Sequence, residues 1–186
     1  MQAVEHVPLR RSTPDFAGLV RIVIAQQVSV ASAKAITART IETLGALEAR
    51  AFARADDEAL KACGLSRPKQ RTLRAIAEAL PDRAAFDRLN AMEGTAMEAQ
   101  LVAIHGVGPW TAQIYRLFCV GDADTMPAGD LALQKAAAWA LDLPERMSEA
   151  QLSQRAEVWS PWRGVAARLL WAYHSVVQDG RAGIAV

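Results

Sequence analysis

The segment FAGLVRIVIAQQVS, residues 16–29, is apolar around nearly its whole circumference when wound as a helix. It is shorter than the ~20 apolar residues that cross a bilayer, so protein must surround it. A helix buried on every side needs neighbours on every side, and the rest of the chain offers helices for the purpose. Thr13-Pro14-Asp15 gives this central helix an N-cap, a proline at the first helical position and an acid in the first turn.

A second helix runs from about Val30 to Leu44 and stops at Gly45. Asp56, Asp57 and Glu58 open a short one that ends near Cys63-Gly64. Ser66-Arg67-Pro68 starts another, closed by Leu80-Pro81. Further helices are expected at 95–104, at 109–120 and from Asp130 to about Leu141. Ser148 and Gln151 form an S-x-x-Q capping box. Ser160-Pro161 repeats the cap-plus-proline signal before a long final helix ending at Gln178, with Gly180 after it. The first dozen residues read as an extended lead-in. No alternating strand pattern competes, so the fold class is all-α, with about ten helices and faint domain boundaries.

Composition supports a packed globule without staples: 52% hydrophobic, 22% charged and 6% aromatic. A chain of 186 residues buries roughly 70% of its unfolded surface. Cys63 and Cys119 lie in apolar helical settings and read as reduced packing residues. Two thiols cannot supply the four ligands of an iron–sulfur cluster. The opening, MQAVEHVPLRRSTPDF, lacks the apolar core of a signal peptide, and no bilayer-length run occurs, so a cytoplasmic protein with no membrane partner is expected. Net charge is +1, so an anion site must be local, built from backbone amides or a few arginines.

The phrase LVAIHGVGPWTA, residues 101–112, supplies such a site. Helix, Gly106-Val107-Gly108, helix is a tight turn whose glycines tolerate positive φ and let a ligand approach the backbone. The amides of Gly108 to Thr111 would open a helix N-terminus, where free N–H groups and the dipole favour an anion. No Gly-Lys-Ser/Thr follows, so this is not a nucleotide P-loop. Taken alone, G-x-G is also an ordinary helix–helix turn.

The whole phrase, however, resembles the helix-hairpin-helix of the DNA-repair glycosylases. With IAQQVSVASA, PAGDLALQ and WSPWRGVAARLLWAY it makes the chain similar to the bacterial 3-methyladenine DNA glycosylase II family over about residues 12–180. The resemblance is to a short form of the family, in which the N-terminal β-containing domain of longer members is not expected. The resemblance implies a single glycosylase domain of two helical lobes around a DNA-binding cleft. Lobe A spans about 20–118, including the hairpin at 104–110, and lobe B about 1–19 plus 119–186. In that family the hairpin amides hold a DNA phosphate, which implicates Gly106, Val107, Gly108 and Thr111. Backbone carbonyls hold a monovalent cation, here those of Val102, Ile104 and Val107, so a structural sodium or potassium ion is expected and no other cofactor.

Asp130 follows a Pro-Ala-Gly turn and reads from the residues alone as an N-cap. The resemblance makes it the catalytic carboxylate, and the two roles are compatible. Losing a base from deoxyribose leaves positive charge on the sugar, which a carboxylate can stabilise, or it can activate water; either role fits. The nicking branch of the superfamily carries a nucleophilic lysine where Trp110 stands, so strand cleavage through a Schiff base lacks its amine. Trp110 and Trp171 occupy positions of base-pocket aromatics, with Tyr173 and Tyr115 weaker candidates. An indole face attracts a cationic alkylpurine by ~0.5–2 kcal/mol. Ile114 stands where the longer form has a tyrosine. Trp139, Trp159 and Trp162 read as packing, and His105 and His174 as packing or surface groups.

Extrusion of the base requires a side chain to fill the gap. By position that wedge is Gln27, against the plain alternative of a polar helix terminus, while Gln26 holds local backbone or reaches a base edge. Ser66 and Lys69 in CGLSRPKQR match a second DNA-backbone segment, or they simply open a solvated helix. The resemblance thus implies a monomeric, monofunctional glycosylase that removes alkylated purines from duplex DNA. A non-catalytic DNA-binding module, or a glycosylase for uracil, mismatched or deaminated bases, are the rival readings.

Overall fold

The computed structural model describes Val7 and residues 11–182, and among these it contains helices and no strand. The lead-in expected at residues 1–12 lies largely outside the described residues. Eight α-helices run in order before residue 116: α1 (Phe16–Ala25), α2 (Val30–Leu44), α3 (Ala49–Arg54), α4 (Asp57–Ala62), α5 (Arg67–Ala79), α6 (Arg83–Asn90), α7 (Gly94–Val102) and α8 (Pro109–Tyr115). A π-helical turn, Arg116–Val120, continues α8. Then come α9 (Leu131–Ala140), α10 (Glu149–Ala156) and α11 (Arg163–Ala182).

The chain divides into two compact units, one of Ser12–Val120 and the other of Gly121 onward together with Arg11. The first boundary falls at Ser12, so residues 12–19, grouped by sequence with lobe B, belong to the unit that carries the hairpin. The reason is continuity: α1 starts at Phe16, and its first turn cannot part from its last.

The first unit is organised around α1, as its apolar circumference requires. Leu19, Val20 and Ile24 are fully buried, and α2, α5 and α8 pack against the helix. Its cap differs from the expected one. Asp15, not Thr13, is the N-cap, accepting from the Gly18 amide at 2.9 Å, while Thr13 Oγ1 donates to the same carboxylate at 2.7 Å. An ionised carboxylate is the stronger acceptor for orphan helix amides, and it displaces the hydroxyl to a supporting position. Two helices carry no expectation from sequence. α3 has no side-chain cap and is held by tertiary packing: Phe52 is fully buried and its ring centroid lies 5.4 Å from that of Phe16. α6 is capped by Asp82, which follows the proline that ends α5.

In the second unit α9 packs on α11 and α10. The segment before α9 is pinned by the buried Gln134, whose Nε2 donates to the Ala128 carbonyl at 2.8 Å and whose Oε1 accepts from Arg146 at 2.9 Å. α11 starts at Arg163, later than the Ser160-Pro161 signal suggests, because Asp124 supplies its cap: the carboxylate accepts from the Arg163 amide (3.1 Å), Nε (2.8 Å) and Nη2 (2.7 Å), and from Ser160 Oγ (2.9 Å). The Arg163 guanidinium holds the Asp124 carboxyl far below the usual carboxylate range. The helix runs through Gly180 to Ala182, past the expected end. Trp162 precedes it and is 61% exposed, so it is not the packing residue expected. Cys63 and Cys119 are buried and free, and burial pushes the Cys119 thiol up to about 12.

Candidate functional site

The hairpin is built as its glycines foreshadow, but the two glycines differ. α7 ends at Val102, the Ile104 amide returns to the Leu101 carbonyl (3.0 Å), and the Val107 amide to that of Ile104 (3.0 Å). Gly106 has φ +81°, and a Cβ there would lie 2.0 Å from Thr72 Oγ1 on α5, so conformation and crowding both favour glycine. Gly108 has φ −92°, and a Cβ there would meet nothing within 4 Å. Neither backbone conformation nor crowding within the chain requires glycine at 108. Pro109 has no N–H, and the first amide of α8 to bond back is that of Ala112, to Gly108 O at 3.1 Å. The amides before it belong to the helix N-terminus.

The side chains expected around the hairpin are more internally engaged than sequence suggests. Val107 is buried and presents only backbone, and Ile114 is buried as well. Thr111 is buried too, its hydroxyl accepting from Gln26 Nε2 at 2.8 Å, so it does not reach outward as a phosphate ligand by side chain. Trp110 is half-buried. Tyr115 is fully buried, donates to Asn90 Oδ1 (2.9 Å) and packs on Phe86, which removes it as a base-pocket candidate.

Lys69 corrects the sequence reading most. Its ammonium donates to the carbonyls of Ile24 (2.8 Å) and Gln26 (2.9 Å), the C-terminal end of α1, and burial lowers its pKa. Two of its three N–H groups therefore face the protein, because a cation stabilises the orphan carbonyls and dipole at a helix C-terminus. Ser66 is exposed at the N-cap of α5, with no side-chain cap bond. Gln27 is exposed and left-handed, φ +56°, in the turn between α1 and α2. The Ile104 carbonyl already closes the hairpin turn, and that of Val102 is the last of α7, among the carbonyls without an intrahelical partner. Neutral oxygens of this kind suit a weakly charged cation.

Asp130 sits in the second unit as the N-cap of α9. Its Oδ1 accepts from the amides of Ala132 (2.9 Å) and Leu133 (3.1 Å), and from Trp171 Nε1 at 3.2 Å. The carboxylate is thus fixed by its own helix and by an indole from α11, 41 residues away. Tyr173 lies about 200° around the helix from Trp171, so the two cannot line one face. His174, three residues on, shares that face, and its ring stacks on Trp139 with centroids 5.3 Å apart and planes at 15°. Burial, then Lys135, lowers the His174 pKa, while the Asp130 carboxylate opposes the shift. The stack fits the packing role expected for Trp139 and the packing or surface role expected for His174, and the 171/174 spacing is the sequence signal that His174 shares the Trp171 face near Asp130. A groove of about 460 Å³ in the first unit, lined by Phe16, Leu47, Arg50, Asp82 and Phe86 among others, holds none of the expected site residues.

The model of the HhH-GPD superfamily of base excision DNA repair proteins matches residues 20–161, spanning the hairpin, Asp130 and most of both units. The chain belongs to this superfamily. It is 33% identical to the probable bifunctional transcriptional activator/DNA repair enzyme AlkA of Mycobacterium tuberculosis, over 90% of this chain and 34% of that protein, so it spans about a third of that relative's length. It is 31% identical to DNA-3-methyladenine glycosylase 1 of Schizosaccharomyces pombe, over 82% of this chain and 69% of that one. Among solved structures, the S. pombe 3-methyladenine DNA glycosylase in complex with abasic DNA matches with TM-score 0.81 and 26% identity, covering 91% of this chain and 86% of that one. A DNA-3-methyladenine glycosidase from Bacillus halodurans matches with TM-score 0.78 and 29% identity, covering 94% and 81%. No helix among the described residues is long and apolar enough to cross a membrane.

Proposed function

We propose that this superfamily member is a monofunctional DNA glycosylase. It hydrolyses the N-glycosidic bond of alkylated purines, of the 3-methyladenine and 7-methylguanine type, in duplex DNA and leaves an abasic site. The observation that carries the reading is the Asp130 carboxylate, whose Oδ1 is oriented by two α9 amides and the Trp171 indole N–H. A carboxylate held in this way stabilises a sugar that gains positive charge as its base departs, without reorganising during the step. It equally orients a water for attack on the sugar carbon.

An alkylated purine is already cationic and a good leaving group, so the site needs no strong general acid. Indole faces at Trp110 and Trp171 attract that cation. The hairpin amides beside Gly108, with the open space there, capture a DNA phosphate, and the exposed Ser66 hydroxyl adds a second backbone contact. Carbonyls of Val102, Ile104 and Val107 hold a sodium or potassium ion that braces the turn. Gln27 fills the gap left by the extruded base. Trp110 stands where a Schiff-base lysine would be needed, so strand scission is outside the proposed chemistry. The working form is a cytoplasmic monomer associated with the nucleoid.

The test is to incubate the protein with methylated duplex DNA and identify the released bases, with a borohydride trap alongside. Release of 3-methyladenine or 7-methylguanine with no trapped adduct supports the reading. A covalent adduct would overturn the monofunctional assignment. Binding without release would favour a DNA-binding module, and preferential release of uracil or hypoxanthine would redirect the substrate class.

A further inference from the structure

Helix α5 meets both parts of the first unit to which DNA contacts are assigned. Thr72 abuts Gly106 in the hairpin, and Lys69, three residues earlier and on the same face of α5, holds the carbonyls of Ile24 and Gln26. Gln26 is tied in turn to α8 through Thr111 Oγ1. The next residue, Gln27, is exposed in a left-handed conformation that non-glycine residues seldom adopt. Such a conformation persists only where its surroundings over-determine it. Here the residue immediately before it, Gln26, is held by one bond from the Lys69 ammonium to its carbonyl and one from its own carboxamide to Thr111, while the second ammonium bond holds Ile24 two residues earlier.

We infer that Lys69 is a positioning residue for the Gln27 wedge, not a DNA-backbone contact, and that the Gln26–Thr111 bond fixes the wedge turn to the hairpin as one piece. Without the ammonium, the α1 carbonyls turn to water and the turn samples right-handed conformations. Gln27 then leaves the direction in which it enters the duplex. The inference rests on the glycosylase reading for its activity readout but not for its binding and exchange readouts.

The experiment compares wild type, Lys69→Met, Gln27→Ala and the double variant by single-turnover excision from methylated duplex. It also measures affinity for an undamaged duplex across salt concentrations and amide hydrogen exchange at residues 26–28. Lys69→Met is expected to slow excision roughly ten- to a hundred-fold, as misplacement of a positioned group does. The double variant should be no slower than the slower single variant, because Lys69 acts through Gln27. The slope of log affinity against log salt should stay unchanged and exchange at 26–28 should quicken. A slope shallower by about 0.9 would mean a lost phosphate contact and would overturn the inference. Multiplicative losses in the double variant, or unchanged exchange, would do the same. If Lys69→Met does not fold, Gln26→Ala, which cuts the tether to Thr111, must show the same non-additivity with Gln27→Ala or the inference fails. Absence of excision by wild type would instead refute the glycosylase reading, leaving the slope and exchange results to decide the role of Lys69.

Discussion

Asp130→Asn separates charge from architecture at the candidate site. Oδ1 of Asp130 accepts from the Ala132 and Leu133 amides and from Trp171 Nε1. An asparagine side-chain oxygen can accept all three, and Asn ranks with Asp as an N-cap, so stability should change by less than about 0.5 kcal/mol. For a chain of this size that is about 1–2 °C in Tm. Asp130→Ala removes the cap and should cost about 0.5–2 kcal/mol, several times more. Neither asparagine nor alanine carries the negative charge that the proposed reaction sets against the developing cation. Loss of one such preorganised electrostatic partner typically slows a reaction by about 10²–10³, or ~2.7–4 kcal/mol of barrier. The expected pattern is therefore a large rate loss for both variants but a Tm loss for alanine alone. Excision is read under single turnover as alkali-labile abasic sites in methylated duplex, and Tm by calorimetry. Asparagine activity within about threefold of wild type would refute a catalytic charge at this position.

The two hairpin glycines should behave oppositely. Gly106→Ala combines positive φ with a collision against Thr72 and should lower stability by about 2–4 kcal/mol, read as a Tm drop of several degrees. Gly108→Ala meets neither problem and should leave Tm unchanged or slightly raised, yet weaken binding to duplexes of every sequence; unaltered affinity would remove the phosphate-capture argument. Trp110→Ala should slow release of cationic bases about 2- to 30-fold more than release of neutral ones, and equal losses would discount the cation–π contribution. The Asp124 carboxyl titrates below its ordinary value because of Arg163, so its stabilisation is complete above the unfolded pKa near 3.8 and fades as pH falls below it. The Tm penalty of Asp124→Asn should accordingly be constant from neutral pH to about 5 and shrink on further acidification; a constant penalty at all pH would contradict the pairing.

Local grammar made most of the helical frame legible. Ser29, Asp56 and Ser148 cap where a short acceptor side chain precedes a helical run, and α2 ends at Gly45 with φ +80°. α3 has no local signature, because Glu48 makes no cap bond and the helix exists by burying Phe52. α6 was masked because Pro81-Asp82 reads as the stop of α5 as well as the start of a new helix. At the candidate site the cap of Asp130 and the turn at Gly106 could be read, since both are decided within a few residues. The bonds Trp171–Asp130, Lys69–Ile24 and Gln26–Thr111 span 41, 45 and 85 residues. No local pattern encodes such distances, which is why Lys69 reads from sequence as an outward-facing cation when it faces inward.

The unconstrained glycine at position 108 has an evolutionary corollary. Neither conformation nor crowding would oppose an alanine or a serine there, so purifying selection for a foldable chain gives that codon no protection. In a lineage that stopped using the hairpin, it should drift early while the glycine at 106 persists. Reading those two positions side by side across descendants would then date the loss of the ancestral task, much as a silent gene records its own retirement.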